Sequence, residues 1–220
     1  MALPIFSAAA VEGQGCAGGK CGITTTLSPS SGPTGSQVNL SIVSGAYPLD
    51  GNYDVWFSKS PTMSDDPTAV KVAEGFNQRL QQSVSIDLSV PEASAGTNYF
   101  HFIKAGQAEQ MINFTFMVTP SITIEDNQVS SGGTDNVTGT GFTPSDDVTL
   151  YVDGVASSVT ASTDDMGTFS VLLPLPSLTA GTHIIKATAK HLYNQDASVR
   201  VTVATANGSR RATSSLRCRA

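Results

Sequence analysis

Charge is scarce in this chain. Only 14% of its 220 residues are Asp, Glu, Lys or Arg, where an ordinary globular domain carries about 25%. No stretch of ten or more residues repeats apolar positions every 3.6 with Glu, Lys and Arg between them, which excludes a helix-rich fold. No uninterrupted apolar run reaches the roughly 18 residues of a membrane-spanning helix. Cysteine is nearly absent too: Cys16, Cys21 and Cys218 all lie in the terminal segments. A structural zinc site needs four ligands in paired spacing, which these three do not offer. A Cys16–Cys21 disulfide is open to the chain in an oxidising compartment, and it leaves Cys218 unpaired. The first ten residues lack the basic start and long apolar middle of a secretory signal. Either a signal was removed before the numbering begins, or export does not use this segment.

What is present argues for a folded chain. Apolar residues make up 40%, too many for disorder at this low charge. Net charge is −6, but Arg210, Arg211, Arg217 and Arg219 put four of the twelve basic residues near the C-terminus. The rest carries 18 acidic against 8 basic side chains. Such a body repels phosphate backbones, so no nucleic-acid partner is expected. The arginine tail reads as a solvated end, or as a contact for an acidic surface.

The most informative feature is internal. Val84 to Ala105 (VSIDLSVPEASAGTNYFHFIKA) matches Phe169 to Lys190 (FSVLLPLPSLTAGTHIIKATAK) at an offset of 85. Pro91 falls on Pro176, and Ala95-Gly96-Thr97 on Ala180-Gly181-Thr182. The same offset carries Phe114, Phe116 and Val118 onto Val199, Val201 and Val203. Upstream, Val55-Trp56-Phe57 aligns with Leu150-Tyr151-Val152 at a different offset. The first copy therefore holds an insertion, placed between Lys59 and Asn77 where Pro61, Asp65, Asp66 and Pro67 signal a loop. This is a duplicated unit.

Each copy alternates apolar and polar residues in short runs separated by Gly, Pro, Asn and Asp. That pattern predicts antiparallel strands with one buried face, closed as a two-sheet sandwich. The expected organisation is an N-terminal tail 1–22, sandwiches at 23–119 and 120–205, and a basic tail 206–220. LSPSSGPTGSQVNLS (Leu27 to Ser41) resembles the opening of bacterial immunoglobulin-like domains of the IPT/TIG type. GTGFTPSDDVTLYVDG (Gly139 to Gly154), followed by Thr163 to Ala189, is similar to the same class. The resemblance implies an all-β chain of two tandem immunoglobulin-like sandwiches. It carries over no catalytic residue and no cofactor, because such modules serve mostly as spacers or binding surfaces.

The residues themselves mark no chemistry. His101, in the alternating run Tyr99 to Phe102, has Lys186 as its repeat equivalent and is expected to face solvent. His183 matches Asn98 and reads as a polar residue at a turn. Asp65-Asp66, Asp146-Asp147 and Asp164-Asp165 read as turn makers, since calcium-loop spacing is absent. The surface signal is aromatic. Trp56 and Tyr151 alternate with core positions and so face outward at equivalent places, suited to a protein anchor or a sugar ring. Tyr99 and Ile103 share their face with His101 and give the first copy a second candidate contact patch, partly apolar in character. The apolar segment Leu3, Ile5 and Phe6 is expected to add as a strand to another subunit's sheet edge.

These features point to a non-enzymatic extracellular protein, structural or adhesive, such as a self-assembling filament or layer subunit. A phage virion component is the variant reading. A carbohydrate-binding module, or an accessory domain of a secreted enzyme, is the alternative of another class. The partners expected are another copy of the chain, another surface or virion protein, or a glycan. The location expected is extracellular or at the cell surface, with the virion as the alternative.

Overall fold

A computed structural model describes residues 11–12, 23–44, 49–62, 66–81, 83–106, 111–190 and 195–204. The tail residues Leu3, Ile5, Phe6, Cys16 and Cys21 lie outside them, as do Cys218 and the arginine-rich end. Among the described residues there is no helix, and so none long and apolar enough to cross a membrane.

The alternation in the sequence becomes strands whose side chains point in and out by turns. The strand β7 (Ser83–Ser89) shows it most plainly, with Val84, Ile86 and Leu88 buried between exposed polar neighbours. Up to Val118 the strands form two sheets. One has the order β1 (Val11–Glu12), β2 (Ile23–Ser28), β4 (Gln37–Ser44), β7. The other runs β3 (Ser31–Gly32), β9 (Met111–Val118), β8 (Gly96–Lys104), β5 (Leu49–Ser58), β6 (Val70–Gln81). From Ser121 onward the pattern recurs. β10 (Ser121–Ile124), β12 (Thr134–Thr140) and β15 (Phe169–Pro174) make one sheet. β11 (Gln128–Val129), β17 (Asp196–Val203), β16 (Gly181–Ala189), β13 (Asp147–Val152) and β14 (Val155–Ser162) make the other.

In each set the opening strand splits between the sheets. β2 pairs with β4, while β3 pairs parallel with β9, and β10 and β11 divide in the same way. Two face-packed sheets with this strand order are an immunoglobulin-like arrangement. The repeat offset of 85 is visible in the strands: β8 and β16 start at Gly96 and Gly181, β9 and β17 at Met111 and Asp196. The insertion is visible too. Asp153 and Gly154 alone join β13 to β14, whereas residues 59–69 separate β5 from β6.

Buried apolar side chains fall into two clusters, one from Leu27 to Val118 and the other from Ile122 to Val203. The first is aromatic: Tyr53 stacks on Phe102 at 4.5 Å, and Phe100 meets Phe57 and Phe116 edge-on at 4.7 and 6.0 Å. The second is mainly aliphatic, with Val137, Leu150, Leu173 and Ile185 fully buried. There Gly139 pairs with Phe169 across β12 and β15, and a Cβ on it would strike the Phe169 ring. Between the two sets, Ala95 N donates to Phe142 O at 3.3 Å and Thr34 Oγ1 to Thr140 Oγ1 at 2.9 Å.

Val11 and Glu12 pair with β2, opposite Thr25 and Thr24.

Candidate functional site

The candidate contact residues converge on the outer face of the β3-β9-β8-β5-β6 sheet. Ladder register lines them up, because antiparallel partners directly opposite one another share a face. Lys71, Trp56, His101 and Asn113 form one row across β6, β5, β8 and β9. The next row inward, Phe57, Phe100 and Phe114, points into the core. The row beyond it, Ser58, Tyr99 and Thr115, returns to the outer face.

His101 does not face solvent; it is 0% exposed. The segment following β5 folds over it. Its Nε2 lies 2.7 Å from Ser58 Oγ and its Nδ1 2.8 Å from Asn113 Oδ1. Asn113 Nδ2 donates to Pro61 O at 2.7 Å, and Ser58 Oγ donates to Ser60 O at 2.7 Å. Because the amide nitrogen is committed to Pro61, the amide oxygen faces the ring, so Nδ1 carries the hydrogen and donates. In the neutral ring Nε2 then accepts from Ser58, in competition with Ser60 O for the same hydroxyl proton. Burial lowers the His101 pKa, opposed by the Asn113 and Ser60 contacts and by the charge of Asp66. Hydroxyl, imidazole and amide in line have the outline of an activated-nucleophile relay. Here the serine is 3% exposed and the ring has no open side, so no substrate reaches them. The three residues act as a clamp that fixes residues 60 and 61 to the sheet.

Ile103, expected beside His101 on an apolar patch, is also buried, at 6%. Of the expected contact residues on this face, Trp56 and Tyr99 are the open ones, each half-buried. Lys71 Nζ sits 5.3 Å from the centre of the Trp56 ring, a cation–π contact. The same ammonium pairs with Asp54 at 3.1 Å and Glu74 at 3.2 Å, and both contacts raise its pKa. Asp54 is held below its usual range, first by the Gly75 backbone amide and then by Lys71.

Tyr151 occupies the equivalent place in the second set, half-buried and opposite Lys186, which pairs with Asp196 at 2.6 Å. The ladder thus sets Lys186 against Tyr151 as it sets His101 against Trp56. His183 and Asn98 are matched in role as well as position. Asn98 Nδ2 donates to Ser94 O at 3.2 Å, and His183 Nε2 lies 2.8 Å from Thr179 O. His183 Nδ1 faces Asp153 Oδ2 at 2.6 Å, which leads the causes that raise the histidine's pKa.

Asp66, Asp146 and Asp164 of the acidic pairs serve turns, while Asp65 lies outside the described residues. Asp164 Oδ1 accepts from Met166 N at 2.9 Å and Thr168 N at 2.8 Å, and Asp146 Oδ1 from Asp147 N at 2.8 Å. Asp66 accepts from Lys59 N at 2.7 Å and Thr68 N at 2.9 Å. Among the described residues, no three His, Cys, Asp or Glu side chains gather to hold a metal ion.

Sequence reasoning missed the Ser58–His101–Asn113 clamp. The signal was available in principle: three polar residues sit on the face of strands whose neighbours are apolar. Only the fold of residues 59–62 over that face brings them together.

No family model matches the chain, and no curated protein matches it. Solved structures similar to it include the Yersinia pseudotuberculosis adhesin InvE, at 14% identity and a TM-score of 0.34, covering 86% of this chain and 61% of that one. A putative membrane-anchored protein of Corynebacterium diphtheriae is 13% identical, TM-score 0.35, covering 84% and 57%. Invasin, a bacterial integrin-binding protein, is 15% identical, TM-score 0.31, covering 83% and 39%. The chain therefore spans about three fifths of InvE and less of the other two. At these scores the likenesses carry no argument, and the fold rests on the sheets themselves.

Proposed function

We propose that the chain is a non-enzymatic module of an extracellular, surface-displayed adhesive or structural protein, made of two tandem immunoglobulin-like sandwiches of the IPT/TIG kind. It acts by contact, through the outer face of the β5–β8–β9 sheet and its equivalent in the second sandwich. The observation that carries this is the disposition of the polar groups on that face. The histidine and serine that would serve catalysis are enclosed and committed to each other, while Trp56 and Tyr99 remain part-exposed.

A protein surface, either a second copy or another surface protein, fits this face better than a sugar. Aromatic side chains ringed by charged ones are the usual anchors of protein interfaces. Lys71 lies over the Trp56 ring and is itself paired with Asp54 and Glu74. A sugar stacking on the ring face that Lys71 covers would have to displace its ammonium.

The test is attachment of beads coated with the full chain to cells and to immobilised glycans, beside a Trp56→Ala variant shown to be folded. Loss of an anchor residue costs on the order of 2 kcal/mol, or about thirty-fold in affinity. Cell attachment that falls with Trp56→Ala supports the protein-contact reading. Attachment to glycan alone transfers the face to sugar binding, and attachment indifferent to Trp56 removes this face from the proposal.

A further inference from the structure

The second sandwich gathers its cations on one face. From Ser121 to Ala204 the chain has nine acidic side chains but three basic ones, Lys186, Lys190 and Arg200. All three fall on the outer face of the β11-β17-β16-β13-β14 sheet. Lys186 lies opposite Tyr151 and Arg200 opposite Ile184, while Val199 and Val201 on either side of Arg200 pack into the core. Lys190 N donates to Asp147 O at 3.0 Å, one step beyond the buried pair Val148 and Ala189, so it too faces outward.

The acids of this face are already engaged. Lys186 pairs with Asp196 at 2.6 Å, and Lys190 lies 3.9 Å from Asp147. Asp153 faces His183 Nδ1 at 2.6 Å and accepts from Ile184 N at 2.9 Å. Arg200 is exposed and, among the described residues, has no ion pair. Beside it Ile184 is 47% exposed, and Tyr151 is a half-buried diagonal neighbour of Ile184 across the ladder. Arg and Tyr are residue types that anchor protein contacts, and a guanidinium takes a carboxylate through two parallel bonds. The patch fits a protrusion that sets an acid beside an apolar side chain.

The chain carries such a protrusion. Of the seven large apolar side chains exposed among the described residues, Met166 is the one that follows an exposed acid with no ion pair, Asp165. The turn is held firmly. Asp164 Oδ1 accepts from Met166 N and Thr168 N, and Gly167 O accepts from Phe142 N at 3.0 Å. A fixed turn loses little freedom on docking, and a methionine adapts to the apolar surface it meets. Patch and turn sit at opposite ends of six-residue β13, about 20 Å apart at the rise of a strand. One molecule therefore cannot close the contact on itself. Two patches facing each other would set Arg200 against Arg200, which like charge opposes.

We propose that Arg200, Ile184 and Tyr151 form the docking site for the Asp165–Met166 turn of a second copy of the chain. Each molecule then keeps one free patch and one free turn, so the contact repeats into an open chain. This rests on the reading of the outer sheets as contact faces, and it names the partner of the second one.

The test is sedimentation of the full chain under reductant, from micromolar to millimolar concentration. The native chain grows beyond a dimer as concentration rises, and shrinks as salt screens the Arg200–Asp165 pair. Arg200→Glu and Asp165→Lys, each shown to be folded by circular dichroism, weaken association at least about ten-fold, because each sets like charges together. Mixing the two variants restores it, since the altered charge of each meets its opposite in the other. A native chain that stays monomeric, association indifferent to both substitutions, or a mixture that stays monomeric overturns the proposal. Cell attachment that depends on Trp56 in a monomeric chain removes this contact and leaves the first face standing.

Discussion

Replacing His101 by Leu perturbs a polar cluster that the fold encloses, and its cost can be worked from the contacts. The substitution removes the ring's bonds to Ser58 at 2.7 Å and Asn113 at 2.8 Å. Ser58 keeps Ser60 O, but Asn113 Oδ1 loses its donor. An unsatisfied acceptor of this kind costs about 1–3 kcal/mol, and the change of shape adds up to about 1.5 kcal/mol. A loss of roughly 2–4 kcal/mol is expected. The pH dependence is the sharper part. Burial lowers the folded-state pKa of His101, so below the unfolded value of about 6.5 the unfolded chain takes a proton that the folded chain refuses. The His101 contribution to stability therefore falls as pH falls, by at most about 1.4 kcal/mol per pH unit, and levels off once the pH passes the folded pKa. In His101→Leu this component vanishes. Urea titrations between pH 7.5 and 5 read it through the single tryptophan, which sits directly across the ladder from His101. Wild-type and His101→Leu stabilities that run parallel between pH 7.5 and 5, or a His101→Leu cost below about 0.5 kcal/mol, refute the clamp.

His183 carries the opposite sign. Its pKa is raised, first by Asp153, so its contribution is present below about pH 6.5 and is lost as pH rises through the folded value. Asp153→Asn should lower the His183 midpoint in a nuclear magnetic resonance titration and remove that dependence. Gly167→Ala places a side chain at φ +74° and drives its Cβ into the Phe142 backbone. A loss of about 2 kcal/mol or more is expected in thermal unfolding, whereas Gly132→Ala, at φ +71° with open space around it, should cost less.

The fold was legible where it depends on period and repetition. Val84, Ile86 and Leu88 announce β7 by alternation, and the offset of 85 carries β8 and β9 onto β16 and β17. Pro61 and Asp66 marked the insertion as a loop, because both residue types favour turns. The site was legible only as a face. Alternation put Trp56 outward in one run and Tyr99 with His101 on one side of another, but it says which side of a sheet a residue takes, not which strands adjoin or what covers that side. Residues 60 and 61 turn back over His101 through hydrogen bonds to Ser58 and to Asn113, 52 positions from Pro61. No local pattern encodes so distant a contact. For the same reason the split of the opening strand across two sheets could not be read: β2 and β3 are separated by two residues, but β2 pairs with nearby β4, whereas β3 pairs with β9, Ser31 opposite Met117.

The claim at the centre of this account is that the chain works outside the cell, by contact. Antibodies raised against residues 23–204, applied to intact cells that make the protein and again after brief protease treatment, test it most directly. The account predicts labelling of intact cells that protease removes. Labelling that appears only once the cells are opened would contradict it.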